Sequence, residues 1–488
     1  MGNVRAEVIS GVKWGAIQKL TLQPVQFVYG VVLARLISPE DFGILALTGF
    51  FFAIAAQLQS CGLGAALIRK QDRTEADCST MFWFNTAASL LFSTLLFAAA
   101  PWFADFFRQP PLVNLTRVSA LMMFLNSTAG VHTALFSAVR DFKTPAIIGI
   151  ISTLIPMPFT IWSAYLGWGY WALMVQSVLS GLLNLVLIWS LSPWKPKLLW
   201  SGASFRNLFP FGIRLTLSGL LTVFYLESRR LLIGKFYSAA SLGNFNRGFS
   251  LVAMPESLIS GMLGGVIYPV LSAIQTDEER LLHVYRKYIR LNNIVSQFIM
   301  LTLACNARAI ILLLYGPAWE EAVLYAQLIC IGTSINALAS INSNLYMVKG
   351  RTDIILKTSV ILRVLSLSAM FAAAFISVVA ICWAAVFSSV LWCVLSFHYT
   401  AQISRLTWWK QCTDFAPYVS SALLANLPAL LLTTVPMAPY LHLLLALPCS
   451  AGIYWLLLRK DALMGELLLL LKTRLLRLIS KQSPDAAA

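Results

Sequence analysis

The feature that most restricts this chain is a rhythm. Apolar runs of roughly 20 residues, the length needed to cross a bilayer core, recur from one end to the other. Each closes on a short charged or turn-forming segment. They fall near 14–34, 43–66, 81–104, 112–137, 145–167, 170–191, 208–227, 248–272, 290–315, 321–347, 354–376, 379–399, 416–435 and 439–458. The chain is 58% hydrophobic and 11% charged over 488 residues, against roughly 25% charged in soluble domains. A soluble globule could not keep that much apolar surface from water. The same figures exclude a disordered chain and a disulfide-framed secreted module. The expected fold class is an all-α polytopic membrane protein of about 14 transmembrane helices.

The formal net charge is +16. Lys and Arg sit in small groups between apolar runs, with no basic stripe, so nucleic acid is not an expected partner. They crowd into alternate loops: Arg69, Lys70 and Arg73; Lys195, Lys197 and Arg206; Arg280, Arg286, Lys287 and Arg290; Lys349, Arg351 and Lys357. By the positive-inside rule these loops are cytoplasmic, and both termini with them. The first apolar run lacks a suitably placed small-residue cleavage site and is expected to be retained as a span. The eight Cys lack CxxC spacing, so neither a metal nor a cofactor is expected. The basic segments 279–290 and 463–481 alternate apolar and cationic residues, as amphipathic helices on an anionic leaflet do. Trp102, Trp168, Trp171, Trp194, Trp319, Trp408 and Trp409 fall near predicted interfaces and suit an aromatic belt.

An internal repeat organises the chain. LARLISPEDFGILAL (33–47) and IGKFYSAASLGNFNR (233–247) match at an offset of 200 residues: Arg35 with Lys235, Ser38 with Ser238, Gly43 with Gly243. Both follow the first span of a set of six. The organisation expected is a six-helix lobe over 1–191, a cytoplasmic interfacial linker at 192–207 and a second six-helix lobe over 208–400. Two additional helices follow within 401–460, then a cytoplasmic amphipathic helix and disordered tail over 461–488. An even number of spans per lobe predicts a pseudo-two-fold along the membrane normal, with a cavity between lobes.

Charge within a span costs roughly 2.5–3.5 kcal/mol on insertion scales and tends to face a cavity or a partner. Span 1 carries Lys19, Gln23 and Gln26 on one helical face beside Pro24. Span 7 carries Arg214, Ser218 and Thr222 on one face. Arg363, Arg117 and Arg308 are further intramembrane cations; Gln57, Asn85, Asn336 and Ser340 add neutral polar groups. These are the candidate cavity residues, although Lys19 is also near enough to the cytoplasmic end to snorkel and the amides and hydroxyls also suit interhelical packing. Glu256, after Pro255 in span 8, is the candidate ion-coupling carboxylate; an Arg partner is the structural alternative. Glu227 is expected to pair with Arg229 or Arg230. No Walker A, H-E-x-x-H or G-x-S-x-G occurs, and no large outside loop could hold a polymerase site, so transport is favoured over catalysis.

Several segments resemble the polysaccharide flippases of the O-antigen and colanic-acid exporter type, within the multidrug/oligosaccharidyl-lipid/polysaccharide exporter superfamily. They are 33–47, GLGAALIRKQDRTEADCSTMFWFN (62–85), ALFSAVRDFK (134–143), LLIGKFYSAASLGNFNRGFSLVAMP (231–255) and LLLYGPAW (312–319). The resemblance implies a fold of two six-helix lobes plus two helices. It implies a flippase carrying an undecaprenyl-diphosphate-linked oligosaccharide from the cytoplasmic to the outer leaflet of a bacterial inner membrane, by alternating access coupled to H+ or Na+. Membrane lipids and a glycan polymerase with its export machinery are the implied partners. A drug or cation antiporter of the same superfamily, and a membrane glycan polymerase or ligase, are the alternatives. Lys19, Arg214 and Arg363 suit a diphosphate.

Overall fold

The structure is a computed structural model that describes Gly2–Glu466 except Cys61, Gln71 and Arg405. The described residues are almost wholly helical. In chain order the long helices are α1 (Gly2–Leu36), α2 (Pro39–Arg69), α3 (Glu75–Phe107), α4 (Leu112–Ala138), α5 (Lys143–Tyr165), α6 (Tyr170–Leu191), α7 (Gly202–Phe236), α8 (Ala239–Ala273), α9 (Glu278–Leu314), α10 (Glu321–Val348), α11 (Thr352–Ala373), α12 (Val378–Ile403), α13 (Trp408–Leu432) and α14 (Pro439–Leu458). Among the described residues, 12 of these are long and apolar enough to cross a membrane. α1 and α8, each 35 residues, have the length to do so too, which is compatible with the fourteen spans expected.

Local chemistry explains the breaks. Pro156 and Pro428 lack the N–H that would continue the ladder, and α5 and α13 are interrupted there. Gly62 takes φ +60 where α2 bends, and α10 is interrupted at Ser340–Ile341. Thr74 caps α3 reciprocally with Asp77, the capping-box arrangement that satisfies two otherwise orphaned donors.

Contacts divide the chain into two compact units, Met1–Asn246 and Arg247–Ala488. In the first, α3 pairs with α4, α5 with α6, and α7 packs along α2. The first unit thus extends beyond the 192–207 segment. That segment is shorter than expected, since α7 begins at Gly202. It lies as a strap on the first turns of α3: Lys197 N–H donates to Ser79 Oγ (3.3 Å), Ser201 N–H to Thr80 Oγ1 (2.9 Å), and Trp83 Nε1 to the Lys197 carbonyl (2.9 Å). In the second unit α9 is central. It packs on α10, α13 and α14, while α12 lies against α10 and α11.

The repeat is legible atom by atom. α1 and α7 end at Leu36 and Phe236; α2 and α8 begin at Pro39 and Ala239. Ser38 Oγ accepts from Asp41 N–H at 3.2 Å, and Ser238 Oγ accepts from Ser241 N–H at 3.1 Å. The two segments also touch reciprocally. A Cβ at Gly43 would lie 1.7 Å from the Ala239 carbonyl oxygen, and one at Gly243 would lie 1.8 Å from that of Pro39. Two helix starts crossing this closely leave room only for hydrogen at both positions, which is why both repeats carry glycine.

Two surface expectations are corrected. Residues 279–290 do not lie on a leaflet by themselves; they are the first turns of α9. Leu281, Tyr285 and Ile289 are buried, and Arg286 and Arg290 are held by the Asp414 carboxylate of α13. Trp319 is fully buried, with the Arg247 guanidinium 5.1 Å from its ring, and so does not join an aromatic belt. Trp194 is half-buried against the His132 ring, 5.2 Å away. By contrast Trp102, Trp168 and Trp409 are exposed. The expected helix and tail over 461–488 lie outside the described residues from 467 onward.

Candidate functional site

In the first unit the candidate polar residues of α1 and α7 are surface groups of long apolar helices. Lys19, Gln26, Arg214 and Ser218 are exposed, and Gln23 and Thr222 are half-buried. α1 packs on α5 through the neighbouring positions: Trp14 stacks under Lys143, and the Gln18 amide fills the space beside Gly149. Lys19 is turned off that contact by one helical step. Measured from the matching ends at Leu36 and Phe236, Lys19 and Arg214 lie ~26 Å and ~33 Å along their helices at 1.5 Å per residue. Neither has a hydrogen bond or ion pair among the described residues. Gln57 of α2 lies beside Gly219 of α7, where a Cβ would overlap its amide. α7 also carries the expected pair: Arg230 Nη1 meets Glu227 at 2.9 Å.

The remaining first-unit candidates are committed or buried. Arg117 stacks over Phe97 at 5.1 Å. Asn85 is buried within α3, its Oδ1 without a partner.

In the second unit the structure brings Glu256, Asn336 and Ser340 together. They line one cavity of about 180 Å³ among α8, α9 and α10. Ser260, Asn292, Ser296, Thr333 and Asn344 complete its polar lining, and Ile259, Met300 and Ile341 are among its apolar groups. A hydrogen-bonded wall shapes it. Asn292 Nδ2 donates to the Ala337 carbonyl at 2.9 Å and to Ser340 Oγ at 3.2 Å, and Ser296 Oγ donates to Asn292 Oδ1 at 3.4 Å. The Ala337 carbonyl lies just before the interruption of α10. Irregular backbone at membrane depth is tolerated where it lines a cavity, and here Asn292 compensates it. Asn292 and Ser296 were not singled out beforehand because they sit inside a run that scans as apolar. Their spacing of four, one helical face, was the available signal.

Two candidates lie elsewhere. Arg308 is exposed and ion-paired with Glu320 at 2.7 Å. Arg363 is half-buried on α11. Neither lines the α8–α9–α10 cavity. No group of His, Cys, Asp and Glu able to hold a metal occurs among the described residues.

The family described as polysaccharide biosynthesis protein matches residues 32–324. The chain belongs to that family. Its relatives include the teichuronic acid biosynthesis protein TuaB of Bacillus subtilis (strain 168), 23% identical over 72% of this chain and 74% of that one. The lipopolysaccharide biosynthesis protein WzxC of Escherichia coli (strain K12) is 23% identical over 73% of each. Among solved structures, the lipid II flippase MurJ in an inward closed conformation superposes with a TM-score of 0.72. It covers 91% of this chain and 97% of that one at 13% identity, a likeness of fold. This polysaccharide family member is thus a multi-pass membrane protein with a helical architecture like that of MurJ, and the close glycine crossing falls within the matched region.

Proposed function

We propose that the chain is a flippase that carries an undecaprenyl-diphosphate-linked oligosaccharide from the cytoplasmic to the periplasmic leaflet of the inner membrane, with both termini cytoplasmic. Membership in the polysaccharide family over residues 32–324 carries this reading. The flippase fold and the glycan-assembly names of TuaB and WzxC support it. So does the chemistry of α1 and α7. Lys19 and Arg214 are exposed cations on long apolar helices with no protein counter-charge among the described residues. Such groups are costly in lipid unless they snorkel to its surface, whereas a water-filled route for a diphosphate suits them. Arg214 supplies a planar fork that fits a phosphate's oxygens, and Lys19 a compact charge on a flexible stem. Alternating access, driven by an ion gradient, moves the charged headgroup while its prenyl tail stays in lipid.

Reconstitution tests it. Vesicles containing the purified chain should move lipid-diphosphate oligosaccharide to the opposite leaflet, and protein-free vesicles should not. In cells, disruption should leave single repeat units stalled on the cytoplasmic side. Absence of translocation with or without an imposed gradient overturns the reading, and exported but unlinked units would assign the chain to polymerisation instead.

A further inference from the structure

The cavity of the second unit differs chemically from the cations of α1 and α7. It is lined by one carboxylate, amides, hydroxyls and aliphatic groups, with no cation. We infer that the α8–α9–α10 cavity is a carbohydrate subsite that reads a hexose carried by the lipid diphosphate, an inference resting on the flippase reading above.

The first ground is size. About 180 Å³ is far more than the ~10–15 Å³ of probe space that one water needs. A bare monovalent cation would need oxygens converging on a much smaller volume. The second ground is the division of labour among polar groups. Asn292, Ser296 and Ser340 are fixed by hydrogen bonds to one another and to the Ala337 carbonyl. They form a preorganised wall, which lowers the ordering cost of binding. Thr333, Asn336 and Asn344, by contrast, have side chains with no hydrogen-bond partner among the described residues. They lie on the same side of α10 across its interruption, so two amides and a hydroxyl present donors and acceptors to whatever enters. Each amide offers both, which suits sugar hydroxyls that also do both. The third ground is the mixed lining. Ile259, Met300 and Ile341 offer an aliphatic surface for the C–H face of a pyranose ring, and Glu256 accepts from hydroxyls at the exposed mouth. Binding pockets for small polar ligands combine these elements: an apolar bed with a few placed hydrogen-bonding groups.

The test uses the full chain in lipid nanodiscs with two probes, undecaprenyl diphosphate and the same lipid carrying a single hexose. Wild type should bind the hexose-bearing lipid more tightly. The double substitution Asn336→Ala/Asn344→Ala removes groups that hold nothing in the protein. It should weaken binding of the hexose-bearing lipid about tenfold, near the net worth of one or two hydrogen bonds, and leave the bare lipid unchanged. Equal weakening for both lipids, or an unchanged ratio, overturns the subsite. Glu256→Gln should lower the preference for the hexose. Lost gradient dependence with an intact preference would replace the sugar site by a cation site. The flippase reading fails separately, if wild-type vesicles translocate neither lipid even though the hexose preference is measured.

Discussion

The two units differ in how some of their charged helix residues are held. In Met1–Asn246, Lys19 and Arg214 point from long apolar helices with no partner among the described residues. In Arg247–Ala488 polar groups answer one another across helices. Arg286 and Arg290 of α9 share Asp414 of α13 at 2.7 and 2.5 Å. Asn306 of α9 meets His442 of α14 at 3.1 Å, and Gln297 donates to the Ser334 carbonyl at 2.9 Å. Tyr454 of α14 donates to the Ile294 carbonyl at 2.9 Å. A buried polar group is stabilising only when satisfied. These pairs therefore dock α10, α13 and α14 on α9, whereas Lys19 and Arg214 have no such pairing. Partner status, more than residue type, is the ground on which these two cations are proposed for the site.

That contrast can be broken by substitution. The largest stability effect should come from Asp414→Ala, which leaves two guanidiniums facing a hole. We expect a loss of about 3 kcal/mol, the lower end of the range for a broken buried pair, because Arg286 and Arg290 are 33% and 39% exposed and can reach water. Denaturant unfolding in detergent measures it, and an unchanged midpoint would deny the clamp its role. Arg214→Ala should leave unfolding unchanged yet reduce translocation roughly tenfold to 100-fold, the range for one lost charge-assisted hydrogen bond of about 1.5–3 kcal/mol. Lys19→Ala should act in the same direction, and the double substitution should insert normally. Normal export by the double variant would show that these cations are dispensable. His442→Phe orphans the Asn306 side-chain oxygen Oδ1 and should cost about 1–2 kcal/mol in the same unfolding assay, with transport intact once folded; an equal loss of transport would move this pair from scaffold to site. Arg308→Ala should be the mildest, about 0–1 kcal/mol, since both partners of its ion pair are more than half exposed. A larger loss would mean that Arg308 belongs with the functional cations after all.

Much of the helical framework was legible beforehand because the bilayer imposes a length on each span and charged or turn-forming segments separate the spans. The match between 33–47 and 233–247 anticipated a shared turn, and the turn is shared to the individual serine cap. What it could not convey is that the two copies pack on each other through Gly43 and Gly243. Offset similarity says nothing of proximity. Asp414 illustrates a second limit. Its partners on α9 lie more than a hundred residues away, so a basic amphipathic segment was read as a membrane-surface helix. Asn292 and Ser296 illustrate a third: two polar residues in a long apolar run barely alter its hydropathy, yet they shape the wall of the cavity that collects Glu256, Asn336 and Ser340.

Membrane residence and the helical character of the spans were determined by the sequence itself, since local hydrophobicity acts on neighbours along the chain. Which cations are neutralised, which amides remain open, and where a helix breaks to admit a cavity were decided only by the tertiary structure. Those outcomes depend on which helices lie side by side, and a polar side chain's energy in a membrane depends on its partner more than on its identity.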